Sequence, residues 1–330
     1  MYVIREGELE YYEKSLIYVA LSTVLFSLME IALKVAGNQF NPIQLNLIRF
    51  ALGGLVILPF AIMRLRQQHH RLHLADWKIF SLTGFLCVVI SMTLYQLAIV
   101  YGEPAIVAVL FSCNPVFALI FAYLILHEAV SRTDIISLVL SVVGLLVIID
   151  PFKLTDPIGI SLAILAAATF GFYSIMSQAS SLKVHLDGVV MTSFTFIAGA
   201  LELLVLILIT KLAPVAQVLR SVSWLRMFAD IPIMTNVNLA NLPILLFVGV
   251  AVTGGGFAFY FLALQQSGVS IASLVFFFKP VLSPICAFFL IGEAINLPTM
   301  IGIAIIIVGS IVTLYGYHVQ NRDEDELLEK

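Results

Sequence analysis

Ten runs of about 20 mostly apolar residues succeed one another along the chain, each long enough for an α-helix to cross a bilayer. They lie at approximately 15–36, 43–64, 77–100, 104–126, 134–150, 157–179, 188–210, 243–265, 269–291 and 298–317. Most connections are very short: Gly37–Pro42, Tyr101–Glu103, Pro151–Asp156 and Gln266–Gly268. Helices joined that closely lie as antiparallel neighbours. The composition agrees. Hydrophobic residues make up 61% of the chain and charged residues 11%, against about 25% charged in a soluble domain. The mean hydropathy is +1.06. By length the 330 residues could form two soluble domains, but the hydropathy overrides that in favour of an all-α integral membrane protein.

Residues 1–14, MYVIREGELEYYEK, are charged, and the run behind them lacks a small-residue cleavage site. The segment therefore reads as a cytoplasmic extension, with no cleavable signal peptide expected. Residues 318–330 read as an acidic tail. One connection, 211–242, is long. It contains PVAQVLRSVSWLRMF, whose apolar residues recur at helical spacing around two arginines; an interfacial helix and a loose loop both fit. With the N-terminus inside, ten of the 17 Lys and Arg residues fall in cytoplasmic segments. Four (Lys153, Lys211, Arg220 and Arg226) fall outside, and Lys34, Arg49 and Lys279 lie within spans. That bias places both termini in the cytoplasm and the chain in the cell membrane, with loop 211–242 extracytoplasmic.

Cys87, Cys113 and Cys286 all sit inside apolar runs and form no CxxC or Cys/His cluster, so they read as small buried hydrophobes. The HHRLH segment (His69–His73) reads as a solvated basic loop rather than a metal site. No metal, cofactor or nucleic acid is expected. The expected partners are a small-molecule substrate and the lipid bilayer; monomer and homodimer fit equally.

The chain repeats itself. Shifted by 165 residues, Tyr95-x-Leu97-Ala98 falls on Tyr260-x-Leu262-Ala263, and Pro115-Val116 on Pro280-Val281. Likewise Glu128-Ala129 falls on Glu293-Ala294, and Gly144 on Gly309. Fourteen identities occur without a gap between residues 84 and 149. Tyrosine, proline, glutamate and glycine in one register are not an accident of greasy composition. Residues 15–150 and 157–317 thus form two copies of five spans. Five is odd, so the second copy enters from the opposite face, an inverted-topology repeat of the kind transporters use.

These residues resemble the EamA-type transporters of the drug/metabolite transporter superfamily, over nearly the whole chain. Phe26-Ser27 with Lys34 resembles that family's Trp-Gly followed by lysine in the first span. Pro42 with Arg49-Phe50 resembles its proline and Arg-Phe pair. LAIVYGEPAIVAVLFSCNPVFALIFAYLILHEAV resembles its strongest block, which LALQQSGVSIASLVFFFKPVLSPICAFFLIGEAI repeats. Phe26-Ser27 in place of Trp-Gly, Phe194 where a second arginine would fall, and Glu30 are departures. The resemblance implies ten helices around a central cavity, cytoplasmic termini, and movement of small metabolites, commonly export of amino acids or related compounds.

Ionisable groups inside a bilayer cost at least about 2.5–3.5 kcal/mol and usually face a cavity or a partner. Lys279 lies near the middle of its span, and its repeat mate Asn114 also precedes a proline. Pro115 and Pro280 are therefore expected helix breaks, each leaving a carbonyl four residues earlier (Phe111, Phe276) without its usual donor. Lys279 is a candidate substrate contact; a structural lysine paired with a distant glutamate is the alternative. Glu30 and Lys34 stand at i and i+4, so a local ion pair is expected, and the sharper reading turns Glu30 towards the cavity, either opposing Lys279 or acting as a proton site for coupling. Arg49 is expected to bond carbonyls or Glu30. Glu202 is either cavity-facing or buried beside Lys211. Tyr95, Tyr173 and Tyr260 are candidate cavity residues, or else phenols bonded within the core. Glu128 and Glu293 are expected to cap the helix that follows each of them. Gly144 and Gly309 are expected to permit close helix contact, and Gly254–Gly256 tight packing or a hinge.

Neither HExxH nor GxSxG occurs, and an enzyme is not expected. The leading reading is a multi-pass exporter of small metabolites working by alternating access. A proton-coupled exporter of cationic drugs is the alternative, followed by a lipid carrier or a non-transporting scaffold. One midplane lysine suits a carboxylate or phosphate, but heavily charged nucleotides want more cations than that.

Overall fold

The computed structural model describes residues 6–127, 132–149, 156–184, 186–222, 225–309 and 311–312. Glu128 and the acidic tail 318–330 lie outside them. Among the described residues the regular structure is entirely helical. The first run forms α1 (Glu6–Ser27) and α2 (Met29–Gly37), separated only by an irregularity at Leu28. After Asn41, whose side chain accepts from the Ile43 and Gln44 amides, comes α3 (Pro42–Gln67). This is proline at a first helical position behind an N-cap, where its missing N–H costs nothing. Next are α4 (Leu74–Gly84) and α5 (Met92–Tyr101), joined by a π-helical stretch, Phe85–Ser91. The fourth run is α6 (Pro104–Phe111) and α7 (Asn114–Phe121), followed by a second π-helical stretch, Ala122–Leu126. Then follow α8 (Arg132–Ile149), α9 (Pro157–Val184) and α10 (Gly188–Thr210).

The long connection is neither a simple interfacial helix nor a loose loop. It holds α11 (Ala213–Ser221) and a turn of 3₁₀ helix at Arg226–Phe228. Its middle is tied to the N-terminal end of α3 and to the turn before it. Gln44 Nε2 donates to the carbonyls of Ile233 (3.1 Å) and Thr235 (2.7 Å), and Asn236 Nδ2 donates to Gln39 O (2.5 Å). Ile231 is buried, with Met227, Phe228 and Ile233 packed beside it on the core.

Beyond it, α12 (Leu242–Leu246) passes through a third π-helical stretch, Phe247–Gly255, into α13 (Gly256–Ile291). Helical backbone continues through Gln266–Gly268, where the sequence suggested a separate turn. Yet α13 is not straight. A straight helix would hold Tyr260 and Phe276 about 24 Å apart, whereas their ring centroids lie 5.5 Å apart. The chain therefore reverses between them. The last helix is α14 (Leu297–Gly309).

Seven of the described helical segments are long and apolar enough to cross a membrane: 14–37, 42–67, 74–101, 104–126, 157–181, 188–210 and 242–263. Phe278–Ile291 and Leu297–Gly309 are apolar but shorter.

Packing is governed by shape, because lipid is as apolar as leucine and small residues let helix backbones approach. A Cβ on Gly84 would lie 2.5 Å from the Gly199 nitrogen and 2.8 Å from the Thr195 carbonyl, so α4 and α10 touch backbone to backbone. Beside this contact the Thr83 and Thr195 hydroxyls bond at 2.7 Å. Gly144 meets Gly302 in the same way, joining α8 to α14. Gly256 sits against the ring of Phe26 and Gly254 against Val56, so this glycine run serves close packing of the π-helical stretch on α1 and α3. Shifted by 165 residues, Phe85–Ser91 falls on 250–256, overlapping the π-helical stretch of the second half.

Candidate functional site

Three of the backbone irregularities adjoin members of one polar cluster. Irregular backbone at membrane depth persists only where protein or water covers it, and π-helical insertions recur at functional sites. Glu30 stands two residues after the irregularity at Leu28, and Tyr95 one turn after the stretch Phe85–Ser91. Asn114 opens α7, directly after the break at Ser112–Cys113. Lys279 lies on α13, past its reversal.

Lys279 Nζ contacts Glu30 Oε1 at 2.7 Å. Both residues are buried, with 1% and 0% of their surfaces exposed. The same carboxylate oxygen accepts a 2.5 Å hydrogen bond from the Tyr95 hydroxyl. The ammonium lies over two aromatic faces, 5.2 Å from the Phe111 centroid and 5.9 Å from that of Tyr95. A buried ion pair repays its desolvation only when further polar and aromatic contacts complete it; here a phenol and two rings do so. Glu30 Oε2 nevertheless has no hydrogen-bond partner. The Oγ atoms of Ser27, one turn from Glu30, and Ser283, one turn from Lys279, are also buried without partners. So are both amide atoms of Gln96, next to Tyr95.

Arg49 is the second buried cation, 1% exposed. It bonds neither backbone carbonyls nor Glu30, contrary to the sequence expectation. Its Nε donates to Asn46 Oδ1 (3.1 Å) and its Nη1 to Met29 Sδ (3.4 Å), and its Cζ lies 4.4 Å from the Phe50 centroid. Asn46 is itself pinned, its Nδ2 donating to Val88 O (2.9 Å) and Thr93 Oγ1 (3.2 Å). Val88 O belongs to the π-helical stretch Phe85–Ser91 and also accepts from Thr93 Oγ1 (3.3 Å), so Asn46 ties α3 to that stretch. Asn46, one turn before Arg49 on α3, was missed in the sequence; the i,i+3 spacing to an intramembrane arginine was the available signal.

Several other expectations change. Glu30 and Lys34 do not pair. Lys34 Nζ instead caps the end of α5, donating to Ile99 O (2.8 Å), Gly102 O (3.0 Å) and Val100 O (3.4 Å). Those carbonyls lack intrahelical donors and carry the negative end of the helix dipole, which draws the cation off the glutamate. The carbonyl freed by Pro115 is not left open, because Asn114 Nδ2 donates to Phe111 O at 2.8 Å. The expected break occurs there, between α6 and α7. At Pro280 it does not: α13 carries helical backbone through both Pro280 and Pro284. Glu202 joins neither the cluster nor Lys211, and its Oε1 accepts a 2.5 Å bond from Ser81 Oγ on α4. Glu293 caps a helix, but not the one that follows it: its Oε2 accepts from the Ala105 amide (3.3 Å), at the start of α6 in the other half. Burial raises the Glu293 carboxyl above its ordinary range. Tyr173 is buried against Phe170, with Cys87 and Ser177 facing its hydroxyl. The Tyr260 ring packs on Phe261 and Phe276. His70 bonds Asp76 (3.2 Å), which also caps the amide of His73 (2.8 Å), so the histidine segment begins α4.

The sequence profile of the EamA-like transporter family matches residues 13–150 and, separately, residues 157–315. An uncharacterised transporter of Clostridium kluyveri is 30% identical over 309 residues, covering 91% of this chain and 93% of its own. One from Archaeoglobus fulgidus is 22% identical, with 90% and 97% covered, and the uncharacterised transporter YoaV of Bacillus subtilis 23%, with 89% and 94% covered. A crystal structure with 16% identity superposes at a TM-score of 0.60, covering 91% of this chain and 96% of that one; it bears on the fold alone.

Proposed function

The chain belongs to the EamA-like transporter family and is a multi-pass membrane protein, and from that premise we propose that it exports small carboxylate-bearing metabolites, amino acids or related compounds, by alternating access. The observation that carries this reading is the buried Glu30–Lys279 contact. It joins the first matched region to the second. A charged bridge between two halves can hold them in one arrangement and part in another, as alternating access requires, and it leaves a second buried cation, Arg49, beside it without an anion.

The proposed architecture is ten helices in two inverted five-helix repeats, with both termini in the cell interior. Three features support it. The family profile matches twice in succession. Two π-helical stretches overlap under the 165-residue shift. Three further described helical segments outside the seven long spans (α8, the end of α13, and α14) lie where the other three runs were read.

A second reading, proton-coupled export of cations, is favoured by one atom. Glu30 Oε2 is buried with no partner, and could take a proton or meet a cationic substrate. The deciding experiment is ligand-induced thermal stabilisation of the purified protein across amino acids, phosphate esters, nucleosides and quaternary ammonium compounds. Stabilisation by the carboxylates is the expected result. Stabilisation by the quaternary ammonium compounds alone would replace this reading with the cation exporter.

A further inference from the structure

We infer that the carboxylate of the transported solute is received by Arg49 rather than by Lys279. The inference rests on the transport reading above and assigns the group that recognises the substrate.

The two fully buried cations differ in one respect. Lys279 already has a carboxylate, 2.7 Å away, and two aromatic faces. Arg49 has neither an anion nor a full set of acceptors. Arg49 takes part in none of the ion pairs His70–Asp76, Arg220–Asp230 and Lys279–Glu30. A guanidinium carries five N–H donors. Here one meets the Asn46 amide oxygen and one a thioether, a weak acceptor. The remaining terminal nitrogen, Nη2, is buried without any partner. An unpaired buried cation is strongly unfavourable, so a site that keeps one is completed by something the chain does not supply.

The charge balance names the completing species. Glu30, Lys279 and Arg49 together carry one net positive charge. Glu30 is the carboxylate with electrostatic influence on Arg49, but its Oε1 is held by Lys279 and Tyr95. One monoanion therefore neutralises the cluster. A carboxylate matches the planar fork of a guanidinium. The fork is also preorganised: Asn46 is fixed by Val88 and Thr93 and in turn fixes Nε, while Phe50 supports the guanidinium face. Of the unpartnered acceptors in the cluster (Glu30 Oε2, Gln96 Oε1 and the Ser27 and Ser283 hydroxyls), Glu30 Oε2 belongs to a carboxylate. It suits an ammonium, and an α-amino acid presents both groups.

The test uses the full-length protein in lipid. Binding is read as the thermal shift from a panel of α-amino acids, their amides and their decarboxylated amines. The acids are expected to stabilise the wild type and the amides are not. Arg49→Gln is expected to bind the best acid about ten- to hundredfold more weakly and to lose the preference for the acid over its amide, whereas the Glu30→Gln/Lys279→Met double variant, which removes the ammonium acceptor, is expected to bind acid and amide alike more weakly while keeping the preference for the acid. Undiminished binding to Arg49→Gln would overturn the assignment while leaving the carboxylate reading in place. A panel in which no acid binds would overturn both. Because Arg49→Gln can fail to fold, the wild type gives an independent answer. With the best acid labelled with ¹³C at its carboxyl, solid-state NMR is expected to show dephasing by ¹⁵N-guanidino arginine and not by ¹⁵Nζ lysine. Dephasing by lysine alone would return the carboxylate to Lys279.

Discussion

Lys279 and Glu30 lie far apart in the sequence and meet at 2.7 Å in the buried centre of the bundle. Neither could remain charged there alone. Together, with the Tyr95 hydroxyl on the carboxylate, they form a neutral unit linking α2 to α13. The pair is a conformational lock as much as a source of stability, since well-packed apolar residues often replace a buried ion pair without loss.

This relationship gives the first prediction. Lys279→Met and Glu30→Gln should each lower stability by about 3–5 kcal/mol or less, because each strands a buried group without its partner. The double variant should recover most of that loss. A double-mutant cycle of melting temperatures in detergent checks it; additive losses would mean that the two side chains are not coupled.

Lys34 should behave differently although it stands one turn from Glu30. Its ammonium caps carbonyls at the end of α5. Lys34→Met should cost about 0.3–2 kcal/mol, the range for a cation at a helix C-terminus, and leave relative preference among solutes unchanged. Comparing melting and counterflow selectivity for Lys34→Met and Lys279→Met separates the cap from the central pair.

The contact of α4 with α10 has no room for a side chain. A Cβ at Gly84 would come within 2.5 Å of backbone on Gly199. Gly84→Val should therefore destabilise by at least about 1–3 kcal/mol, the usual cost of overpacking. Val at Gly37, where nothing lies within 4 Å, should be tolerated far better. Expression and monodispersity of the two variants provide the comparison.

Glu293 predicts a pH dependence. Burial raises its carboxyl above the ordinary value of 4.5. Between 4.5 and the raised value the folded protein therefore holds more protons than the unfolded chain. Its contribution is fully stabilising below 4.5 and is lost as pH rises through the raised value. Melting of the wild type, compared with Glu293→Gln, should fall more steeply with increasing pH over that window; parallel curves would remove Glu293 as the cause.

The positions of the buried charges were legible in the sequence, whereas their partners were legible only as alternatives, with Glu30 opposite either Lys34 or Lys279. Lys279, Glu30, Arg49 and Lys34 stood out because each interrupts an apolar run. Spacing suggested that Glu30 would hold Lys34, the nearest cation on the helix. In the fold the free carbonyls of α5 take Lys34, and Lys279 arrives from the other half to replace it. Glu293 likewise found a helix start across the bundle rather than the next one in the chain. Asn46 is not legible, because one amide in an apolar run carries no signal until the fold brings the Val88 carbonyl and the Arg49 guanidinium to it. Pro115 and Pro280 show the same limit. Equivalent prolines in register end a helix in one half and are carried within it in the other.

By itself the sequence determined the solvent, the apolar runs and their order, and the family, because transfer of a run into lipid depends on its composition and length alone. The tertiary structure alone decided which polar groups answer one another, where π-helical backbone replaces α, and that one guanidinium is left unfilled. Those outcomes depend on distances of a few ångströms between helices remote in the chain. In a low dielectric such distances decide whether a charge is compensated or exposed, and no local pattern of residues encodes them.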